Sequence, residues 1–180
     1  MMALRPPVAD RLLAAAAFVL SLVAAIVMDA ADLDVERSLD VWGVALLAAM
    51  AALLLARRRW PMGVLLGVVA LSLPYHLVDY AHEAALPAVL VAVFSVALHS
   101  RLPIKVVAAG VALVVATGVS TADEASDIPA DVFIGIGWLL MAFFAGLAVR
   151  FDQNWKSAVT ARLEQERADE VERRSPRSGS

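Results

Sequence analysis

The chain has 180 residues, of which 61% are apolar and only 18% charged, and it has no cysteine. A soluble domain runs nearer half apolar and a quarter charged, so this balance points to lipid as the solvent, with room for one domain and a short tail. The missing cysteine excludes disulfides, thiolate metal sites and cysteine nucleophiles, while the bland net charge of −3 conceals a strong segregation of charge along the chain.

Six apolar stretches, 12–28, 41–56, 62–78, 84–98, 104–120 and 132–149, are separated by five short polar breaks. A helix needs about 20 residues, with a working range of about 17–25, to cross a ~30 Å hydrocarbon core. The stretches sit at or just below the short end of that range, the fourth being the weakest, and flanking residues extend them into the headgroup zone. They are nearly uncharged all round, unlike the amphipathic surface helix of a soluble protein. The first stretch follows Arg5 and Arg11 as a signal peptide would. Its apolar run is longer than the ~7–15 residues of such a region, and Asp29 spoils the cleavage site, so it reads as a retained helix.

Alternate breaks sort the basic residues onto two sides. One side holds the N-terminus, Arg57-Arg58-Arg59, Arg101 with Lys105, and everything from Arg150 onward; it carries 14 of the 15 lysines and arginines, and Arg37 alone lies on the other. The other side is acidic, with Asp29, Asp32, Asp34, Glu36, Asp40, Asp79, Glu83, Asp123, Glu124, Asp127 and Asp131. By the positive-inside rule the basic side is cytoplasmic. The expected fold is therefore an all-α integral membrane domain of six transmembrane helices over residues 1–150, with both termini inside, in the cytoplasmic membrane. Arg57, Arg58 and Arg59 stop the second helix, Trp60 suits the interface, and Pro61 fits the first turn of the third helix. Together these five residues form a topology anchor.

From Arg150 the composition turns charged, with no proline or glycine before Ser175, so the sixth helix continues into the cytoplasm as a linker over 151–174. Asp169 with Arg173 and Glu170 with Arg174 make favourable i,i+4 pairs. Phe151, Trp155 and Ala158 form one short apolar seam and Val159 with Leu163 a competing one, neither long enough for an autonomous coiled coil; the plain reading is a solvated helix, and the alternative is a parallel dimer contact held together mainly by the membrane part. Residues 175–180 read as a disordered end.

Chemistry-bearing residues are few. His76, Asp79, His82 and Glu83 cluster in one outer break, and a continuing third helix would put His76, Asp79 and Glu83 on one face for metal binding or pH sensing; Pro74 opposes that continuity, and a solvated polar turn is the plainer reading. His99 sits at an inner helix end, where a cation complements the dipole. Gly63 and Gly67 have the small-xxx-small spacing of close helix approach. No mid-span charge suggests a pump, and no hydrolase or nucleotide-binding motif occurs. The chain is expected to be no enzyme, to hold no cofactor or metal, and to bind no nucleic acid.

The arginine before the first span, the acidic first outer loop, the Arg57–Pro61 turn and the charged exit helix with Arg162-Leu163-Glu164-Gln165-Glu166-Arg167 carry a resemblance. Over about residues 5–172 the chain resembles the N-terminal membrane module of bacterial two-component sensor histidine kinases, of the subclass paired with LuxR/NarL-type response regulators. The resemblance implies a dimeric sensor input module, acting with a separate kinase core or response-regulator system. No histidine follows His99 and nothing resembles the ATP-site boxes of that family, so the chain is expected to be a truncated kinase or a free-standing regulator. The alternative is a small transport or structural subunit acting with a partner.

Overall fold

The structure, a computed structural model, describes residues 6–31, 38–78, 80–100, 103, 110–112 and 130–174, and every regular element among them is helical. Helix α1 spans Pro6–Ala30 and α2 Val41–Leu53, the latter tightening into a 3₁₀ turn over Leu54–Ala56. Helix α3 spans Pro61–Leu77, a 3₁₀ turn over His82–Ala85 leads into α4 at Leu86–His99, and α5 runs from Ala130 to Arg174. The expected fifth stretch, 104–120, lies outside the described residues apart from helical residues 110–112.

Local chemistry sets several of these boundaries. Asp40 caps α2, its Oδ1 accepting from the backbone N–H groups of Trp42 and Gly43 at 3.0 Å each, which satisfies two of the four donors a helix start leaves open. Proline stands in the first turn of both α3 and α4, where its fixed φ suits the helix and its missing N–H costs nothing. Pro74 does not break α3, which continues to Leu77. An interior proline leaves one carbonyl four residues back without its usual donor. Helix α3 ends at Leu77 and Glu83 stands in the separate 3₁₀ turn, so His76 and Glu83 do not share one continuous helix; Asp79 lies outside the described residues.

Helix α4 is the axis of the packing, touching α1, α3 and α5. Its buried side chains are mostly small: Ala88, Val89, Ala92, Val93, Ser95, Val96 and Ala97. Small side chains let backbones approach, and the closest approach is at Gly146 of α5. A Cβ there would stand 2.6 Å from the Phe94 carbonyl oxygen and 2.7 Å from Ala97 Cβ. Gly67 instead meets the Leu53 side chain of α2, and Gly63 has only Trp60 nearby, so these two do not share one close crossing.

Two helices are long and apolar enough to cross a membrane: α1 over Val8–Ala30 and α5 from Ile134; Val41–Ala56, Pro61–Leu77 and Glu83–His99 are shorter apolar helices. The apolar windows of α1 and α5 are only 22% and 17% buried. Leu12, Val19, Leu20, Val23, Ile26 and Val27 of α1 and Ile134, Met141 and Phe144 of α5 instead face outward. At about 1.5 Å per residue α5 is about 68 Å long, twice the depth of a hydrocarbon core. Residues 151–170 are exposed throughout.

Gly146→Val should lower the stability of the detergent-purified protein by about 1–3 kcal/mol, because the added methyls meet backbone rather than a flexible side chain. Gly135→Ala, with nothing within 4 Å of its Cβ, should leave stability unchanged or gain up to about 1 kcal/mol from helix propensity. Thermal unfolding of the two variants followed by circular dichroism makes the comparison.

Candidate functional site

Four elements meet at one end of the bundle: the start of α1, the turn after α2, the start of α3 and the end of α4. Asp10, in the second turn of α1, is 8% exposed and Arg57, in the turn after α2, only 5%. Arg57 donates to Asp10 Oδ1 from Nε at 3.0 Å and from Nη2 at 2.7 Å. Arg58 Nε lies 2.9 Å from Oδ1 and 2.6 Å from Oδ2 of the same carboxylate. The third Arg57 nitrogen, Nη1, donates to Ser95 Oγ of α4 at 3.4 Å, and that hydroxyl donates onward to the Val91 carbonyl at 2.6 Å. One turn later His99 Nδ1 is 3.3 Å from the Ser95 carbonyl oxygen, which as an acceptor requires the proton on Nδ1.

The three arginines of the expected topology anchor thus have three environments. Arg57 is buried in the bundle, Arg58 is half-exposed over the same carboxylate, and Arg59 is exposed and makes no ion pair among the described residues. Trp60 projects outward and Pro61 opens α3. Asp10 is the functional residue that sequence reasoning missed. Its signal was a lone carboxylate in an otherwise basic flank, one turn inside an apolar helix.

At the opposite end, Tyr80 donates its hydroxyl to Asp40 Oδ1, so the carboxylate that caps α2 also holds the following segment. The Tyr75 and Tyr80 rings lie 5.0 Å apart, His76 stands edge-on to Tyr75 at 6.1 Å, and the fully buried Tyr75 hydroxyl has no hydrogen-bond partner among the described residues. Of the sensing candidates, His76 lies in the last turn of α3 and Glu83 is exposed in the 3₁₀ turn. Asp79 and the His82 side chain lie outside the described residues. Among the described residues no three His, Asp or Glu side chains group as a metal site would. Along α5, Phe151, Trp155, Ala158, Val159 and Leu163 are all exposed, and Asp152 pairs with Lys156 at 2.6 Å. The side chains of Arg173 and Arg174, expected to pair with Asp169 and Glu170, lie outside the described residues.

A family model described as a domain of unknown function, DUF7134, matches residues 1–152. The chain belongs to the DUF7134 family. No curated protein and no solved structure matches it. The family match closes at the point where α5 leaves the bundle and becomes exposed on every side, so the DUF7134 domain comprises the packed helices and not the exit helix.

Within the DUF7134 domain the Asp10 cluster acts as a clasp. A guanidinium removed from water is tolerated only when its donors are met, and here a carboxylate and a hydroxyl meet three of the five. Removing one partner of such a pair costs about 3–5 kcal/mol, largely because the other charge is stranded, whereas replacing both by apolar groups of similar volume is often neutral. Asp10→Ala should therefore destabilise by about 3–5 kcal/mol and Asp10→Leu with Arg57→Met by much less. A double-mutant cycle on thermal unfolding measures the difference, and additive losses would mean that the two side chains do not act as a pair.

Proposed function

We propose that this chain is the membrane-embedded input module of a two-component signal-transduction system. In this reading it crosses the cytoplasmic membrane six times with both ends inside, pairs with a second copy, and hands a conformational change to a kinase core or response-regulator system through residues 151–174. Phosphotransfer belongs to those partners, and this chain carries no catalytic residue of its own.

The observation that carries the reading is the continuity of α5. One unbroken helix begins among apolar residues against α4 and continues beyond the bundle as an exposed, charged rod. A rod rigidly joined to the packed helices carries movement, whereas a loop would absorb it. Membrane insertion is supported by the large apolar side chains that α1 and α5 turn outward, since contiguous exposed apolar surface marks a membrane or protein contact. The exposed Phe151, Trp155, Val159 and Leu163 stand four residues apart and offer a second copy an apolar stripe. The transport alternative needs polar side chains lining a path. Ser72 and Ser95 instead turn their hydroxyls back to the Val69 and Val91 carbonyls of their own helices, which favours the signalling reading.

Single cysteines are a clean probe because the native chain has none. In intact cells an impermeant thiol reagent should reach Ser38→Cys and Ser126→Cys and miss Ser157→Cys; the reverse pattern overturns the topology. Cysteines stepped along 158–168 should cross-link between copies in native membranes with a helical period. A chain that stays monomeric at every position removes the paired exit helix from the proposal.

A further inference from the structure

At the arginine end the turn after α2 carries three arginines, and two of them are bonded to one carboxylate. Arg57 and Arg58 share Asp10, and Arg59 has no ionic partner among the described residues. Positive charge in excess next to a low-dielectric bundle draws a counter-anion, since Coulomb attraction there is several-fold stronger than in bulk water. The same end holds a cleft of about 470 Å³, lined by Arg58, Arg59, Trp60, Met62, His99 and Ser100. Among the described residues no side chain caps α3, so the open N–H donors of its first turn add a positive partial charge beside the cleft.

We infer that this cleft binds the phosphate of an anionic lipid headgroup. Arg59 and the outer edge of Arg58 supply the charge-assisted hydrogen bonds, and buried Arg57 contributes its field without contact. Two features select a lipid over a free anion. Trp60 is 68% exposed at the mouth, where an indole suits a headgroup region that is half wet and half dry. Met62 lines the cleft, and Leu66, one turn further along the same face of α3, is 47% exposed. The tip of Met62 packs against Gly110, and the exposed Leu66 offers an acyl chain an apolar surface one turn along α3 from the cleft. The inference rests on the membrane reading above, since a headgroup reaches the cleft only if α3 borders the bilayer.

The test uses the full chain purified in a zwitterionic detergent. Phosphatidylglycerol should raise the thermal midpoint by about 5 °C or more, and phosphatidylcholine should not, because a ligand bound only to the folded state stabilises it by mass action. Arg59→Gln leaves the Asp10 clasp intact and should weaken phosphatidylglycerol binding about tenfold, the loss expected for one charge-assisted hydrogen bond. Arg58→Gln should do the same, and if that variant fails to fold, Arg59→Gln carries the test alone. Equal stabilisation by both lipids, or an Arg59→Gln response like that of the native chain, overturns the inference. Inorganic phosphate giving the full shift alone overturns the lipid assignment. Alkaline carbonate extraction of cell membranes separates the two levels: a chain released by carbonate defeats the membrane reading itself. A chain that stays in the pellet but ignores phosphatidylglycerol defeats only the headgroup site.

Discussion

A carboxylate on α1 and a guanidinium 47 residues later in sequence decide where the helices of this domain meet. Arg57 sits where water is nearly absent, and a charge so placed must find its counter-charge or leave. Asp10 supplies it and in doing so fixes the height of α1 against the turn after α2. Ser95 takes the remaining direction and ties that turn to α4. An apolar helix packed on apolar helices has little reason to prefer one height over another, because sliding exchanges one apolar contact for a similar one. A buried ionic contact has no such indifference: displacement by one turn strands both charges. The clasp therefore supplies register, which hydrophobic packing of alanine, valine and leucine does poorly.

The rest of the bundle is organised around the same axis. Helix α4 offers α5 a face of small residues and offers the clasp its serine and histidine one turn apart, so one element joins the charged end to the exit helix. At the far end Asp40 combines two duties, capping α2 and receiving Tyr80. Among the described residues an aspartate thus ties each end, and the span between them is held mainly by apolar packing.

Much of this architecture was legible in sequence because hydropathy and helix starts are local signals. The stretch 41–56 coincides with α2 and its 3₁₀ turn, 62–78 lies within a residue of α3, and the proline-rich starts fall where proline belongs. What failed was non-local or depended on where a helix stops. Asp10 looked like one more charge in a flank, and nothing within ten residues of it names Arg57 as its partner. Arg57, Arg58 and Arg59 looked equivalent as neighbours, yet successive residues in a turn point in different directions, and only one points inward. Pro74 weighed against continuity of the third helix because its ring removes a donor, but one lost bond is small against the burial of Tyr75 immediately after it, and α3 runs on to Leu77. The face joining His76 to Glu83 required a helix through Asp79, and α3 ends two residues before that.

The contact at Gly146 has a mechanical meaning. At Gly146 the α5 backbone meets the Phe94 carbonyl and the Ala97 methyl with no long side chain between them, so that contact resists compression as a fulcrum would. Arg174 lies 28 residues beyond it along one helix, about 42 Å away, so a tilt of about 5° at the crossing swings the far end by about 4 Å. The long arm amplifies angles too small to disturb the clasp that anchors its base.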